Sequence, residues 1–135
     1  MEKLVFIIDD DEVYLNFMKS HFRQMSGYVV ETYPNADAAL TQLTSKNPYL
    51  IILDHNLNHG EKDGIYYLKK IKKSKPAIPV VYITSNTGSE INKNAMKAGA
   101  ETVIIKSDVF LIQLRTALDE INAPKKKGIL SKLFK

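Results

Sequence analysis

Short runs of apolar residues alternate along the chain with segments in which apolar residues recur every three or four positions. The runs are rich in β-branched residues, which is typical of buried strands in a parallel sheet. Strands and helices in strict alternation predict a doubly wound α/β fold with five strands and five helices. The predicted strands are Val5–Ile8, Tyr28–Tyr33, Leu50–Leu53, Val80–Ile83 and Val103–Ile105.

The helices are predicted from apolar residues at helical spacing. Asn35 fits the N-cap of a short helix over 36–43, and Asp11 fits the N-cap of the first helix. Gly99 fits the left-handed residue that ends the fourth helix. The predicted apolar faces are Tyr14, Phe17, Met18, Phe22 and Met25 in the first helix; Gly64, Tyr67, Leu68 and Ile71 in the third; Ile91, Ala95 and Ala98 in the fourth; and Leu111, Leu114, Leu118 and Ile121 in the fifth.

The composition is that of one globular domain. The chain has 135 residues, 44% of them hydrophobic and 25% charged, ordinary values for a domain with its own core. It has no cysteine, and therefore neither a disulfide framework nor a thiolate site. The apolar run from Leu4 to Ile8 is too short for a signal peptide, and no run is long enough to span a bilayer. We therefore expect a cytoplasmic protein.

The net charge of +4 belongs to the C-terminal tail, which has five lysines and no acid after Asn122. The remainder has 14 basic and 15 acidic residues, so we expect no direct contact with nucleic acid. We divide the chain into a domain over 1–122 and a basic amphipathic tail over 123–135. Two interpretations of the tail stay open: weak docking to an anionic membrane or a partner, or a disordered solubilising extension. The tail's apolar residues at helical spacing are Ile129, Leu130, Leu133 and Phe134.

Four of the predicted strands are followed by residues that handle phosphate or metal: Asp9 and Asp10, Asp54, Thr84, and Lys106. Ligands of an open parallel sheet bind beyond the carboxyl ends of its strands, so we expect these side chains to meet at one edge. Clustered carboxylates repel unless they are protonated or bridged by a cation, and hard oxygen ligands suit Mg²⁺. A carboxylate is also a nucleophile that forms an aspartyl-phosphate. Such a transfer needs mainly positioning and charge neutralisation.

Taken together, these residues resemble the receiver domain of two-component response regulators in its stand-alone, CheY-like form, over residues 3–122. The resemblance implies the flavodoxin-like strand order 2-1-3-4-5. It also implies a Mg²⁺ site and a phospho-acceptor at the sheet edge. The residues it implies are Asp9, Asp10, Asp54 and the backbone carbonyl of Asn56 for the metal, and Asp54 as acceptor with Thr84 and Lys106 acting on the phosphoryl group.

The function that the resemblance implies is signalling by phosphorelay. A histidine kinase or phosphotransfer protein would donate a phosphoryl group to Asp54, and the product would bind a downstream protein of unknown identity. The protein would be a self-catalysed phospho-acceptor with slow autodephosphorylation rather than a classical enzyme. Since no output domain follows in the sequence, we expect it to signal through protein–protein contact.

Three positions depart from the usual receiver pattern. Leu57-Asn58 replaces Met-Pro, and the loop from there to Asp63 is longer. Ser107 replaces the proline after the lysine, so we expect no cis peptide there. Val103 stands at the aromatic switch position, which leaves open a pseudo-receiver that binds partners without phosphorylation.

A third function class is a phosphatase of the haloacid dehalogenase type, which also uses a strand-end aspartate with threonine and lysine. That family needs an aspartate two residues after the nucleophile, where this chain has Asn56. The chain also lacks a cap insertion. We expect His55 to have a packing or surface role, because its side chain should point away from that of Asp54.

Overall fold

The computed structural model describes residues 2–57 and 62–124, which form one parallel sheet with helices on both faces. The strand order is β2-β1-β3-β4-β5, which confirms the predicted doubly wound α/β fold. In the parallel register, Ile7 lies opposite Ile52 and Asp54 lies opposite Ile83. The elements are β1 (Lys3–Ile8), α1 (Glu12–Arg23), β2 (Tyr28–Tyr33), α2 (Ala36–Gln42), β3 (Leu50–Asp54), α3 (Gly64–Ser74), β4 (Val80–Thr84), α4 (Ser89–Lys97), β5 (Thr102–Ile105) and α5 (Phe110–Asn122).

Two apolar cores lie on opposite faces of the sheet, because side chains alternate along each strand. On one face, Ile7 and Ile52 pack with residues of α1 and α5. On the other, Phe6 and Ile51 pack with residues of α2, α3 and α4. Strands β3 and β4 are buried along their whole length, as expected for strands covered on both faces.

The helix ends use the residues that the sequence predicts. The Asp11 side chain accepts a hydrogen bond from the Val13 amide, and Asn35 accepts one from the Asp37 amide. Both are therefore N-caps, as predicted. Gly99, just after α4, has a φ of +105°, a conformation that favours glycine.

One prediction about α1 is wrong: the sequence pattern places Phe17 on the apolar face of the helix, but the residue is 45% exposed. The buried positions of α1 are Leu15, Met18 and Phe22. These follow each other by three and four residues, so they form the stripe that faces the sheet. Phe17 lies outside this stripe on the helix, and its ring contacts Tyr14 edge-on.

In residues 2–57 and 62–124, no helix is both long and apolar enough to cross a membrane. This part of the chain also contains no cis peptide bond, which agrees with the expectation at Ser107. The lysines and apolar residues of the predicted tail lie outside the described residues, as do residues 58–61 of the loop that the sequence makes longer.

Gly64, the first residue of α3, lies directly against the end of β3. A Cβ at this position would be 2.5 Å from the backbone oxygen of Asp54, 2.5 Å from the Tyr82 hydroxyl and 2.8 Å from the Cα of His55. Two of these three atoms belong to the backbone and cannot move aside without shifting β3. The close approach of α3 to the sheet edge therefore requires glycine at position 64.

We predict that Gly64→Ala lowers the free energy of unfolding by about 1–3 kcal/mol, because the added methyl group overpacks this contact. Urea denaturation would measure the change. Gly88→Ala is the matched control: Gly88 also lies at a helix start, as the N-cap of α4, and its new methyl group would approach only the flexible side chain of Asn86, so its loss measures the ordinary cost of alanine there. Equal losses in the two variants would show that the close approach is not the cause.

Candidate functional site

Strand alternation brings Asp9, Asp54 and Lys106 to the same side of the sheet edge. They follow Ile7, Ile52 and Ile104 by two residues, and these three isoleucines belong to the core beside α1 and α5. Side chains two residues apart in a strand point to the same face, so the polar residues continue the apolar rows. The backbone amide of Lys106 donates to the Thr84 oxygen at 2.8 Å and extends the pairing beyond β5.

Three carboxylates meet at this edge, as the sequence predicts. Asp9, Asp10 and Asp54 each present an oxygen, and these oxygens lie within 4.8 Å of one another. Asp9 is fully buried and Asp54 is 2% exposed. The Lys106 ammonium lies 2.9 Å from Oδ2 of Asp9 and 3.4 Å from Oδ1 of Asp54.

Burial and the neighbouring charges shift the pKa values of Asp54 and Lys106. Burial, followed by the negative charge of Asp9, raises the pKa of Asp54 to about 7. Burial by itself lowers the pKa of Lys106, but the two neighbouring carboxylates outweigh that effect, so the pKa of Lys106 is raised. The lysine is thus firmly protonated, and Asp54 is close to accepting a proton at neutral pH.

The cluster fits a hard divalent cation. The buried oxygens Asp9 Oδ2 and Asp54 Oδ1 accept no hydrogen bond of good geometry from the described part of the chain, although Lys106 lies close to both. When all three carboxylates are ionised, one ammonium leaves a charge near −2, which a divalent cation would neutralise. Oxygen ligands of this kind match Mg²⁺.

Thr84 and Asn56 lie beside the cluster at the ends of neighbouring strands. Thr84 is 1% exposed, and its hydroxyl oxygen accepts a hydrogen bond from the Asn86 amide at 3.0 Å. Asn56 is exposed, and its side-chain amide donates to the Ser85 hydroxyl at 3.2 Å. The structure therefore brings all six predicted site residues to one edge of the sheet.

The switch position, three residues before Lys106, holds Val103 and therefore has no aromatic ring. Val103 is half-buried on β5 and lines a cavity of 340 Å³ between Thr84 and the start of α4. Lys93 and Asn92 of α4 line the same cavity. The space beside Thr84 is thus bordered by a small apolar side chain and by polar groups.

Two tyrosines, one at the site and one near it, make contacts that the sequence pattern does not show. The Lys106 ammonium lies over the ring of Tyr14, 4.2 Å from its centroid. The hydroxyl of Tyr82, a fully buried residue, shares a hydrogen bond with Nδ1 of His55. The His55 ring thus has the packing role expected of it. The sequence signal for this hydrogen bond is a tyrosine in a strand predicted to be buried, because a buried tyrosine hydroxyl usually finds a hydrogen-bond partner.

Comparison with known proteins identifies the family to which this chain is similar. The model of a family described as the response regulator receiver domain matches residues 5–118. The nitrogen assimilation regulatory protein NtrX of Azorhizobium caulinodans is 31% identical over 118 residues, and a putative NtrX-like response regulator of Rickettsia typhi is 33% identical over 128. These matches cover 85% and 93% of this chain but 26% of each relative. The chain thus spans roughly a quarter of the length of these curated relatives.

Solved structures show the same fold. The receiver domain of NtrX from Brucella abortus superposes with a TM-score of 0.74 at 28% identity, covering 85% of this chain and 98% of that one. A CheY-like receiver domain protein from Methanospirillum hungatei superposes with a TM-score of 0.79 at 23% identity, covering 94% and 99%. Because the family match runs from β1 into α5 and includes the acidic cluster, the protein belongs to the response regulator receiver domain family of two-component systems.

Proposed function

We propose that this protein is a response regulator whose receiver domain accepts a phosphoryl group on Asp54 with the help of Mg²⁺. The observation that carries the proposal is the cluster of three carboxylates, two of them buried, opposed by the Lys106 ammonium. A cluster with this excess of negative charge favours a divalent cation, and a bound cation together with Lys106 favours an incoming phosphoryl group.

In the proposed reaction, a carboxylate oxygen of Asp54 attacks the phosphorus of a phosphohistidine. The new O–P bond forms as the P–N bond breaks, and the imidazole leaves with the electron pair and takes up a proton from water. The Lys106 ammonium and the Thr84 hydroxyl then donate to the phosphoryl oxygens. Asp9, Asp10, Asp54 and the backbone carbonyl of Asn56 would hold Mg²⁺, which when bound neutralises charge on those oxygens.

The proposed donor is a histidine kinase or phosphotransfer protein, and the proposed output is binding of a downstream protein in the cytoplasm. The protein would act as a self-catalysed phospho-acceptor that loses its phosphate slowly, rather than as a classical enzyme. This chain covers only 26% of each of the two curated relatives, so the functions of their other segments are not assigned to it.

The second candidate is a pseudo-receiver, a binding module that is never phosphorylated. It is favoured by Val103, which provides no aromatic ring at the switch position. Incubation with Mg²⁺ and acetyl phosphate, followed by intact-mass measurement, separates the two. One stable added phosphate supports the response regulator, whereas an unchanged mass supports the pseudo-receiver. Rapid turnover of the phosphodonor would instead support a phosphatase.

We predict that Asp54→Asn abolishes phosphate uptake, because the acceptor oxygen is lost, and that the fold is kept. The variant should also be more stable than the parent by about 1–3 kcal/mol at pH 8 without metal. The folded pKa of Asp54 is raised to about 7, so the parent loses stability as pH rises from its unfolded value near 3.8 through 7. Thermal unfolding at pH 5 and pH 8 measures this, and quantitative labelling of the variant would contradict the assignment.

Asp10→Asn is predicted to weaken Mg²⁺ binding by at least about tenfold, since even groups behind a metal ligand cost that much. Phosphorylation should slow in parallel. Calorimetry is the suitable measurement, because the chain has no tryptophan. Asp11→Asn is the matched control: it changes the same charge on the next residue, and asparagine keeps the N-cap. Unchanged affinity in Asp10→Asn would place the metal elsewhere.

Beryllofluoride, a mimic of the phosphoryl group, is predicted to displace residues 85–90 and α4 without a large movement of any aromatic ring. Thr84 and Lys106 would be drawn toward the new charge, and Val103 offers no ring to swing inward. Tyr82 is already buried and bonded to His55. NMR shifts with and without beryllofluoride measure the response, with Asp54→Asn as the unresponsive control. A large change at the Tyr82 ring would contradict this view of the switch.

A further inference from the structure

Tyr14 of α1 contacts the ammonium of Lys106 through the face of its ring. The distance from Nζ to the ring centroid is 4.2 Å, well inside the limit of roughly 6 Å for a cation–π interaction. The Lys106 side chain is only 10% exposed, so water screens this contact weakly. The ammonium is therefore bordered by the carboxylates of Asp9 and Asp54 and by an aromatic face.

The ring of Tyr14 is itself held by two other aromatic rings. Phe110, the buried first residue of α5, meets it at 5.7 Å between centroids and an interplanar angle of 85°. Phe17 meets it at 6.1 Å and 83°. Edge-to-face pairs of this kind have a preferred geometry, so Tyr14 is fixed between α1 and α5. A fixed ring is a suitable support for a flexible lysine side chain.

We infer that Tyr14 is a positioning residue for Lys106 in phosphoryl transfer, an inference that rests on the proposed function. A lysine side chain has four rotatable bonds and gives up considerable entropy when it is held in one place. The ring face attracts the ammonium and limits the positions it can take. Lys106 is thereby held at the site before the phosphoryl group arrives. The entropy lost in ordering its side chain is then not added to the activation free energy of phosphoryl transfer.

The ring contact also matters once Asp54 has reacted. The ammonium must then leave its position between two carboxylates and donate to a phosphoryl oxygen. The quadrupole of the Tyr14 ring attracts the cation without occupying any of its three N–H donors in a conventional hydrogen bond. The lysine can therefore turn from carboxylate to phosphate while keeping the contact with the ring.

Two substitutions separate this role from simple packing. Tyr14→Phe keeps the aromatic face and loses only the hydroxyl. Tyr14→Leu is apolar and fills much of the same space, but it has no aromatic face. If Tyr14 only fills space, the two variants should behave alike, whereas the positioning role predicts that Phe preserves function and Leu does not.

The test measures two quantities in each variant. The first is the ring-current shift of the Lys106 ε-methylene protons by NMR, in the unphosphorylated protein. The second is the rate of phosphorylation by acetyl phosphate with Mg²⁺, over a range of donor concentrations. We expect Tyr14→Leu to lose the shift and to lower the saturating rate by about three- to tenfold, with little change in the half-saturating concentration. Tyr14→Phe should keep the shift and most of the rate.

Tyr66→Leu is the matched control for losing a cation–π contact. The ammonium of Lys70 lies 5.0 Å from the centroid of the Tyr66 ring, on α3 and away from Lys106. We expect its phosphorylation rate to match that of the parent. If Tyr14→Leu does not fold, as judged by circular dichroism, Tyr14→Met provides a similar volume without a ring.

The outcomes distinguish this inference from the proposed function. If the parent protein takes up no phosphate, the proposed function fails and the inference fails with it. If the parent takes up phosphate but Tyr14→Leu and Tyr14→Phe react at the same rate, only the positioning role is overturned. A slow Tyr14→Leu variant beside a normal Tyr14→Phe variant supports both.

Discussion

Like charges buried at one sheet edge constrain the rest of this structure. Asp9 and Asp54 lie almost entirely out of water, and Lys106 is the cation in ion-pair contact with both. Buried charges persist only when they are paired, protonated or bound to metal. Under the proposed function, a lysine, a proton and a divalent metal therefore share the same few oxygens. The loading of this site by any one of these cations is thermodynamically linked to the loading by the others.

The residues of the buried charge cluster are few, and their meeting at one sheet edge could be predicted from the sequence. Asp9, Asp54 and Lys106 each follow a strongly apolar strand, and parallel strands end at the same edge. Side-chain alternation then determines which face they share. The N-caps Asp11 and Asn35 were also predictable, because capping depends on the local chain alone.

The contacts that support the cluster could not be predicted in the same way. Tyr14 belongs to a broad apolar pattern in α1, and the same pattern led to the wrong placement of Phe17. Which margin of the helix faces Lys106 depends on how α1 and α5 pack, and that is a property of the whole fold. The bond between His55 and Tyr82 joins the residue that follows β3 to a residue of β4, and it likewise depends on the tertiary arrangement.

His55, the residue after Asp54, connects the end of β3 to its neighbours through three hydrogen bonds. Its amide donates to the Ile83 oxygen, its carbonyl accepts from the Gly64 amide, and its ring is bonded to Tyr82. The start of α3 is therefore tied by hydrogen bonds to the end of β3, directly beside Asp54. Under the proposed function, α3 could move after Asp54 reacts only if this junction gave way. A partner that binds α3 would thus sense the chemical state of Asp54 through the Gly64–His55 hydrogen bond.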